Sequence, residues 1–262
     1  MSGLVSIITP TYNCGAYIAG AIQCVINQTY KDWEMIIVDD ASTDNTQAIV
    51  AEFAQTDDRI KYIHKDKNTG AASSRNRALR EARGRWVAFL DSDDLWEPEK
   101  LEHQVKFMLQ HNYAFTYTKY QEMDMKGNLR GLEVSGPKHV TKLGMYIYCW
   151  PGCLTVMYDR ERIGLIQIEE ISNREDYAYW LQVVRKADCY LLPEVLSRYR
   201  KRTGSNSNLG YAELILWQYN MFVNGDHRNP VLALMLTAIN TVCAVIKKVV
   251  FVKKRPTPQP LP

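Results

Sequence analysis

The chain has 262 residues, 46% of them hydrophobic and 23% charged, which is long enough and apolar enough for one large folded domain with an appendage. A net charge of +3 excludes the strongly basic balance of a nucleic-acid binder, and no nucleic-acid partner is expected. The six scattered cysteines lack metal-knuckle spacing, and the start "MSGLVSIITPTYN" enters a strand without a basic, then apolar, leader; together these predict a cytoplasmic protein with reduced thiols.

Along the first hundred residues the hydrophobic period switches repeatedly between strand and helix. "LVSIIT" predicts a strand and "YIAGAIQCVINQ" a helix; "WEMIIV" predicts a second strand and "TDNTQAIVAEFAQ" a helix, with Ser42, Thr43 or Asp44 as candidate N-caps. "IKYIH", a helix over "AASSRNRALREARG" stopped by Gly84, and the strand "WVAFL" complete the pattern. Strands that are apolar throughout and alternate with helices predict an α/β fold with a mostly parallel sheet covered on both faces. In such sheets ligands sit beyond the carboxyl ends of the strands. Three polar clusters fall there: "TPTYN" at 9–13, "DDASTDNT" at 39–46 and "DSDD" at 91–94.

The acidic clusters raise a physical question. Asp39, Asp40, Asp91, Asp93 and Asp94 would share one rim, with Arg75 and Arg77 available from the intervening helix. Like charges so close repel, and each resists leaving water. A divalent cation with a phosphate-bearing ligand would relieve that repulsion, because hard cations prefer carboxylate oxygens. The plainer reading of each cluster is helix capping, by Asp94 in the case of "DSDD".

The second half predicts a helix over 97–111 with Pro98 in its first turn, a hairpin of "YAFTYTKYQEMD" and "LRGLEV", a strand "GCLTVMYD", a helix over "SNREDYAYWLQVVRKA" and a cation-rich strand "VLSRYRKR". Two helices are expected after Ser207. The tail "RPTPQPLP" is expected to be disordered. The organisation expected is therefore 1–207 as the main domain (1–96 and 97–207 as its halves), 208–254 as a helical extension and 255–262 as a tail. "MYIYCWPG" at 145–152 offers Tyr148 and Trp150 as sugar-stacking residues, against their use as core.

"VSIITPTYN", "IIVDDASTDNT", "NTGAASSRNRALREARGRWVAFLDSDD" and "NREDYAYWL", in that order, resemble the family 2 glycosyltransferases, inverting enzymes of the Rossmann-like GT-A fold, and within them the transferases of bacterial teichuronic-acid and capsular polysaccharide pathways. The resemblance implies a nucleotide-sugar donor, with a UDP-sugar favoured, a saccharide or lipid-linked saccharide acceptor, and Mn²⁺ or Mg²⁺. It places Pro10, Thr11 and Tyr12 around the nucleoside, Asp40 on the uracil edge, Arg75 near the base and diphosphate, Asp91 toward the ribose, Asp93 on the metal and Asp176 as catalytic base, with Glu175 as its rival. Where many relatives carry a histidine, this chain has Arg202, which cannot ligate a metal but can clamp phosphate oxygens. Glycine-rich dinucleotide and phosphate loops are absent after the first strand, which argues against an oxidoreductase or a nucleotidyltransferase. The non-enzymatic alternative is a degenerate, scaffold-like subunit.

The run from Val231 to Ile246 is apolar apart from Thr237, Asn240 and Thr241, and is followed by Lys247, Lys248, Lys253, Lys254 and Arg255. As an apolar stretch it falls short of the ~20 residues that span a bilayer. The expectations are a helix packed on the domain or across a homodimer, or one lying on the inner face of the membrane through 230–255, where it would give peripheral contact.

Overall fold

A computed structural model describes residues 3–202 and 210–255; the boundary expected at 207–208 and the proline-rich stretch after Arg255 lie outside the described residues. The first half alternates as expected: β1 (Val5–Thr11), α1 (Ile18–Ile26), β2 (Trp33–Asp39), α2 (Thr46–Thr56), β3 (Ile60–His64), α3 (Ala71–Glu81) and β4 (Trp86–Phe89). Then follow β5 (Leu95–Trp96), α4 (Lys100–His111), β6 (Phe115–Met123), β7 (Leu129–Val134), β8 (His139–Val140), α5 (Lys142–Ile147), β9 (Met157–Asp159), α6 (Arg160–Ile163), α7 (Glu175–Val184) and β10 (Cys189–Arg200). After 210 come α8 (Tyr211–Asn220), α9 (Pro230–Val250) and β11 (Val252–Lys254).

One sheet runs through the molecule in the order β11-β7-β6-β9-β4-β1-β2-β3. The β4-β1-β2-β3 part is parallel, as expected for crossover helices, whereas β9 meets both β4 and β6 antiparallel and β10 pairs parallel with β6. The all-apolar strands have a direct cause. Ile8, Ile36, Val38, Val87 and Phe89 belong to the core under α3 and α7, while Ile7, Met35, Ile37, Trp86 and Ala88 belong to the core under α1 and α4. Alternate residues thus face two separate cores, and of the few polar residues these strands carry, Ser6 donates to Glu34 at 2.6 Å.

Local details depart from the expectations. α3 ends at Glu81, with Ala82 rather than Gly84 at its cap, and α2 starts only at Thr46, where Asp44 accepts from the Thr46 backbone N–H at 3.0 Å. Of "GCLTVMYD" only Met157–Asp159 is strand, because Cys153–Thr155 forms a short 3₁₀ turn. α5 was not anticipated: Thr141 caps it by accepting from Gly144 N–H, and it buries Met145 and Tyr146.

The helices after 210 join the main core. Met221, Phe222 and Ala233 are fully buried in the same cluster as Phe89 and Trp180, and Phe222 packs edge-on against Tyr177 with centroids 5.9 Å apart. Phe222→Ala is therefore expected to cost about 3–5 kcal/mol, read as a lower urea midpoint of a single transition shared by the whole chain.

Candidate active site

The polar clusters assemble at the carboxyl ends of β1, β2 and β4. Backbone strain marks the rim: Asn13, Ala41 and Arg174 adopt positive φ (46°, 63° and 60°), a region costly for residues other than glycine, and each adjoins a segment that lines a cavity.

The first cavity, of about 590 Å³, is lined by Pro10, Thr11, Tyr12, Asp40, Arg75, Asp91, Asp93 and Arg202, so every residue expected at the nucleotide and metal site lies on its wall. Asn68, Gly70, Ser74, Ser92 and Tyr199 line it too. Thr11 is buried and, among the described residues, its hydroxyl has no hydrogen-bond partner, an orphaned polar atom on the wall of the cavity. Asp40 is nearly fully buried. One of its oxygens accepts from Lys65 Nζ (2.5 Å) and Thr69 N–H (3.0 Å), the other from Gly70 N–H (2.7 Å). Burial opposes its charge, but Lys65 and the two amides outweigh burial and hold the carboxyl below its usual range. Gly70 makes this possible: at φ 93° it turns its N–H onto Asp40, a conformation L residues rarely adopt.

The five aspartates do not act alike. Asp39 is buried in structure, accepting from Ser42 N–H (2.9 Å) and Tyr62 OH (2.7 Å). Asp94 is not a helix cap: it is fully buried and accepts the backbone N–H of Arg200 at 2.8 Å, tying β10 to the end of β4. Burial, then Asp93 and Asp91, push its carboxyl well above the usual range. Asp40, Asp91 and Asp93 are the three that face the cavity. Arg77 also drops out, pairing with Glu81 on the exposed side of α3 at 3.1 Å.

Arg75 joins the two halves of the site. It is buried, with one nitrogen on Asp91 at 2.7 Å and another on Glu175 at 2.9 Å, while its Nε has no partner among the described residues. Arg202 meets Asp93 at 2.8 Å. Asp93 is raised from its usual value by burial and then by Asp91, with Arg202 pulling the other way. Among the described residues no group of three or more His, Cys, Asp or Glu side chains converges on one point. Asp91 and Asp93 alone suit an ion such as Mg²⁺ or Mn²⁺, which takes one or two protein carboxylates and completes its shell with phosphate oxygens and water. The residual repulsion between the pair is what such an ion would relieve.

A second cavity, of about 420 Å³, shares Arg75, Asp91 and Tyr199 with the first and contains Glu175 and Asp176 from the start of α7. Glu175 is committed to Arg75. Its carboxyl is raised by burial first, Arg75 opposing and Asp176 adding. Asp176 accepts the Tyr177 N–H at 2.8 Å, and no ion pair engages it among the described residues. The aromatic wall is not the one expected. Trp150 is buried, donating to Gly144 O at 3.1 Å and packing against Phe251, and Tyr148 packs beside it. Tyr120, Tyr199 and Trp217 line the cavity instead. Tyr120 and Tyr199 come from neighbouring strands, and their pairing was invisible before β6 and β10 were known to be adjacent.

An α/β sheet whose strand ends hold paired aspartates over a nucleotide-sized cleft, with a second cleft opening beside it, defines a nucleotide-sugar transferase class of site. The profile described as "Glycosyl transferase family 2" matches residues 6–149, and the chain belongs to that family. Over 206 residues it is 43% identical to TuaG of Bacillus subtilis (strain 168), named as a teichuronic acid biosynthesis glycosyltransferase, covering 78% of this chain and 82% of that one. Over 250 residues it is 36% identical to Escherichia coli WfgD, named UDP-Glc:alpha-D-GlcNAc-diphosphoundecaprenol beta-1,3-glucosyltransferase, covering 95% and 96%. The fold matches that of Staphylococcus aureus TarS (residues 1–349) in complex with UDP-GlcNAc, with a TM-score of 0.67 at 24% identity over 89% of this chain and 70% of that one. It also matches a mannosyltransferase of Pyrobaculum calidifontis in complex with GDP-Man and Mn²⁺, with a TM-score of 0.62 at 18% identity over 92% and 75%. The chain is a glycosyltransferase, and its relatives include one named for teichuronic acid biosynthesis and one named for transfer to a diphosphoundecaprenol-linked acceptor.

Proposed function

We propose that the chain is an inverting transferase that moves a sugar from a UDP-sugar to a hydroxyl of a lipid-linked saccharide, with a divalent metal at the donor. The observation that carries this reading is the pair of clefts meeting at Arg75 and Asp91, one fitted for a nucleotide diphosphate and one holding an unpaired carboxylate. WfgD, which matches nearly end to end, takes its glucose from UDP and its acceptor on diphosphoundecaprenol, which supports both halves.

The roles follow from the chemistry of the groups. Pro10, Thr11 and Tyr12 flank the nucleoside, the unpartnered Thr11 hydroxyl supplying a hydrogen bond, and Asp40 presents its carboxylate to the base edge. Asp93, with Asp91 beside it toward the ribose, would hold the metal, which when bound would supply Lewis-acid stabilisation of the charge on the departing diphosphate. Arg75 and Arg202, each now resting on one of those aspartates, lie within the same cleft to neutralise the remaining phosphate charge. Asp176 takes the proton of the acceptor hydroxyl as its oxygen bonds to the anomeric carbon. The bond from that carbon to the diphosphate oxygen breaks on the opposite face, so the configuration inverts and UDP leaves. Arg75 occupies Glu175, which leaves the neighbouring Asp176 as the base.

Calorimetric titration with UDP, UDP-glucose, UDP-GlcNAc and GDP-mannose in Mn²⁺ tests the donor. The uridine compounds are expected to bind at least ~10-fold more tightly than the guanosine one, because a site built to hydrogen-bond one base leaves buried groups unpaired with another. Equal binding of all four would overturn the uridine assignment.

A further inference from the structure

α9 is built inside out. The stripe it turns to the domain, Ala233, Leu236, Thr237, Asn240 and Lys247, is small or polar apart from Leu236. Asn240 donates to Ile147 O (2.9 Å) and Tyr177 OH (2.8 Å), and Lys247 to Trp150 O (3.2 Å). The opposite side carries Val231, Leu234, Met235, Val242, Val245 and Val249, all exposed, from 58% at Met235 to 77% at Val249. A helix of a water-soluble protein normally does the reverse. So large a continuous apolar face marks a surface that is covered in use.

Three observations identify the cover. First, α9 is 21 residues long and apolar enough to cross a bilayer, longer than the apolar run alone suggested, yet both ends are held by the same domain. At its start, Asn229 caps it immediately after Arg228, which pairs with the buried Asp226; at its end, β11 adds antiparallel to β7 and Ser135 N–H bonds Phe251 O at 2.9 Å. A helix so anchored lies along a surface and does not cross it. Second, α9 contains no acidic residue, and the exposed Lys248, Lys253 and Lys254 cluster at and just beyond its end. A second copy docking through this helix would bring no carboxylate from its own α9 to meet them, whereas anionic headgroups would. Third, α8, which packs beside α9, turns Ile215 and Leu216 outward while Trp217 lines the cavity that holds Asp176.

We propose that the outer face of α9, with the outward residues of α8, docks on an anionic lipid surface, lying in the interface with its lysines among the headgroups. The contact uses neither donor nor metal, so its failure would leave the transferase reading intact.

The test is co-sedimentation of the full chain with vesicles of phosphatidylcholine alone or mixed with phosphatidylglycerol. At low salt, binding to the anionic vesicles is expected to exceed binding to the neutral ones by ~10-fold or more and to weaken as salt screens the lysines. Val242→Asp/Val249→Asp should lose at least ~10-fold in vesicle binding, with UDP affinity and melting temperature unchanged because both side chains stand in solvent. Lys253→Glu/Lys254→Glu should lose the preference for anionic lipid. Wild-type chain left in the supernatant with both vesicle types would overturn the proposal. So would a lipid-free dimer, seen by sedimentation velocity, that the two-valine variant dissociates.

Discussion

In Asp176→Asn, sugar transfer is expected to fall by about 10²–10⁴-fold, the usual contribution of a positioned general base, while UDP and metal bind as in the wild type. The amide keeps the shape of the side chain and its place beside the Tyr177 N–H, so only the capacity to take a proton is lost. Glu175→Gln separates the two neighbours. Glu175 is the partner of Arg75, which also holds Asp91, so the amide is expected to disturb the donor side, with a raised KM for the sugar nucleotide and a smaller loss in kcat. Single-turnover transfer and calorimetry on the two variants give the split. A dead Glu175→Gln beside a near-normal Asp176→Asn would move the base one residue back.

Asp93→Ala is expected to remove the metal dependence of UDP binding. In the wild type, Mn²⁺ should tighten UDP by well over ~10-fold relative to EDTA, since an ion held at this pair would offset the repulsion between Asp91 and Asp93 and neutralise diphosphate charge. The alanine variant loses a metal-binding carboxylate and also removes the ion-pair partner that stands 2.8 Å from Arg202. Its UDP affinity should therefore be the same with Mn²⁺ and with EDTA, and above that of an Asp93→Ala/Arg202→Ala double variant. UDP that binds the wild type equally with and without metal would show that Arg75 and Arg202 alone neutralise the diphosphate.

Much of the fold was legible because β1, β2 and β4 face two cores, so their residue types are nearly uniform and their lengths are set by the next turn signal. The strand ends were legible for the same reason: a polar cluster directly after such a strand has no core left to enter. The fates of the individual aspartates were not. Asp39 and Asp40 are chain neighbours, yet one is consumed by Ser42 and Tyr62 inside the fold while the other lines the cleft, because successive side chains at a strand end point to opposite sides. Asp94 holds β10 in place from 106 residues away in the chain, and no local pattern carries such a partner. Trp150 is a comparable case. A tryptophan in a loop-like "CWPG" suggests a sugar platform, but Phe251, a hundred residues further on, covers its ring. The polar stripe of α9 was visible as Thr237 and Asn240 interrupting an apolar run; that they point inward depends on Tyr177 and Ile147, which only the folded chain supplies.

β11 has a further consequence for any shortened form of the chain. Its pairing with β7 occupies a row of backbone groups that would otherwise offer a ready template to a strand from another molecule. β11 itself is three residues long and carries two exposed lysines, so it closes the edge without presenting an inviting new one. A chain ending before Val252 would keep the whole cleft in sequence and yet expose β7, and its characteristic failure would be self-association into insoluble sheet rather than loss of chemistry.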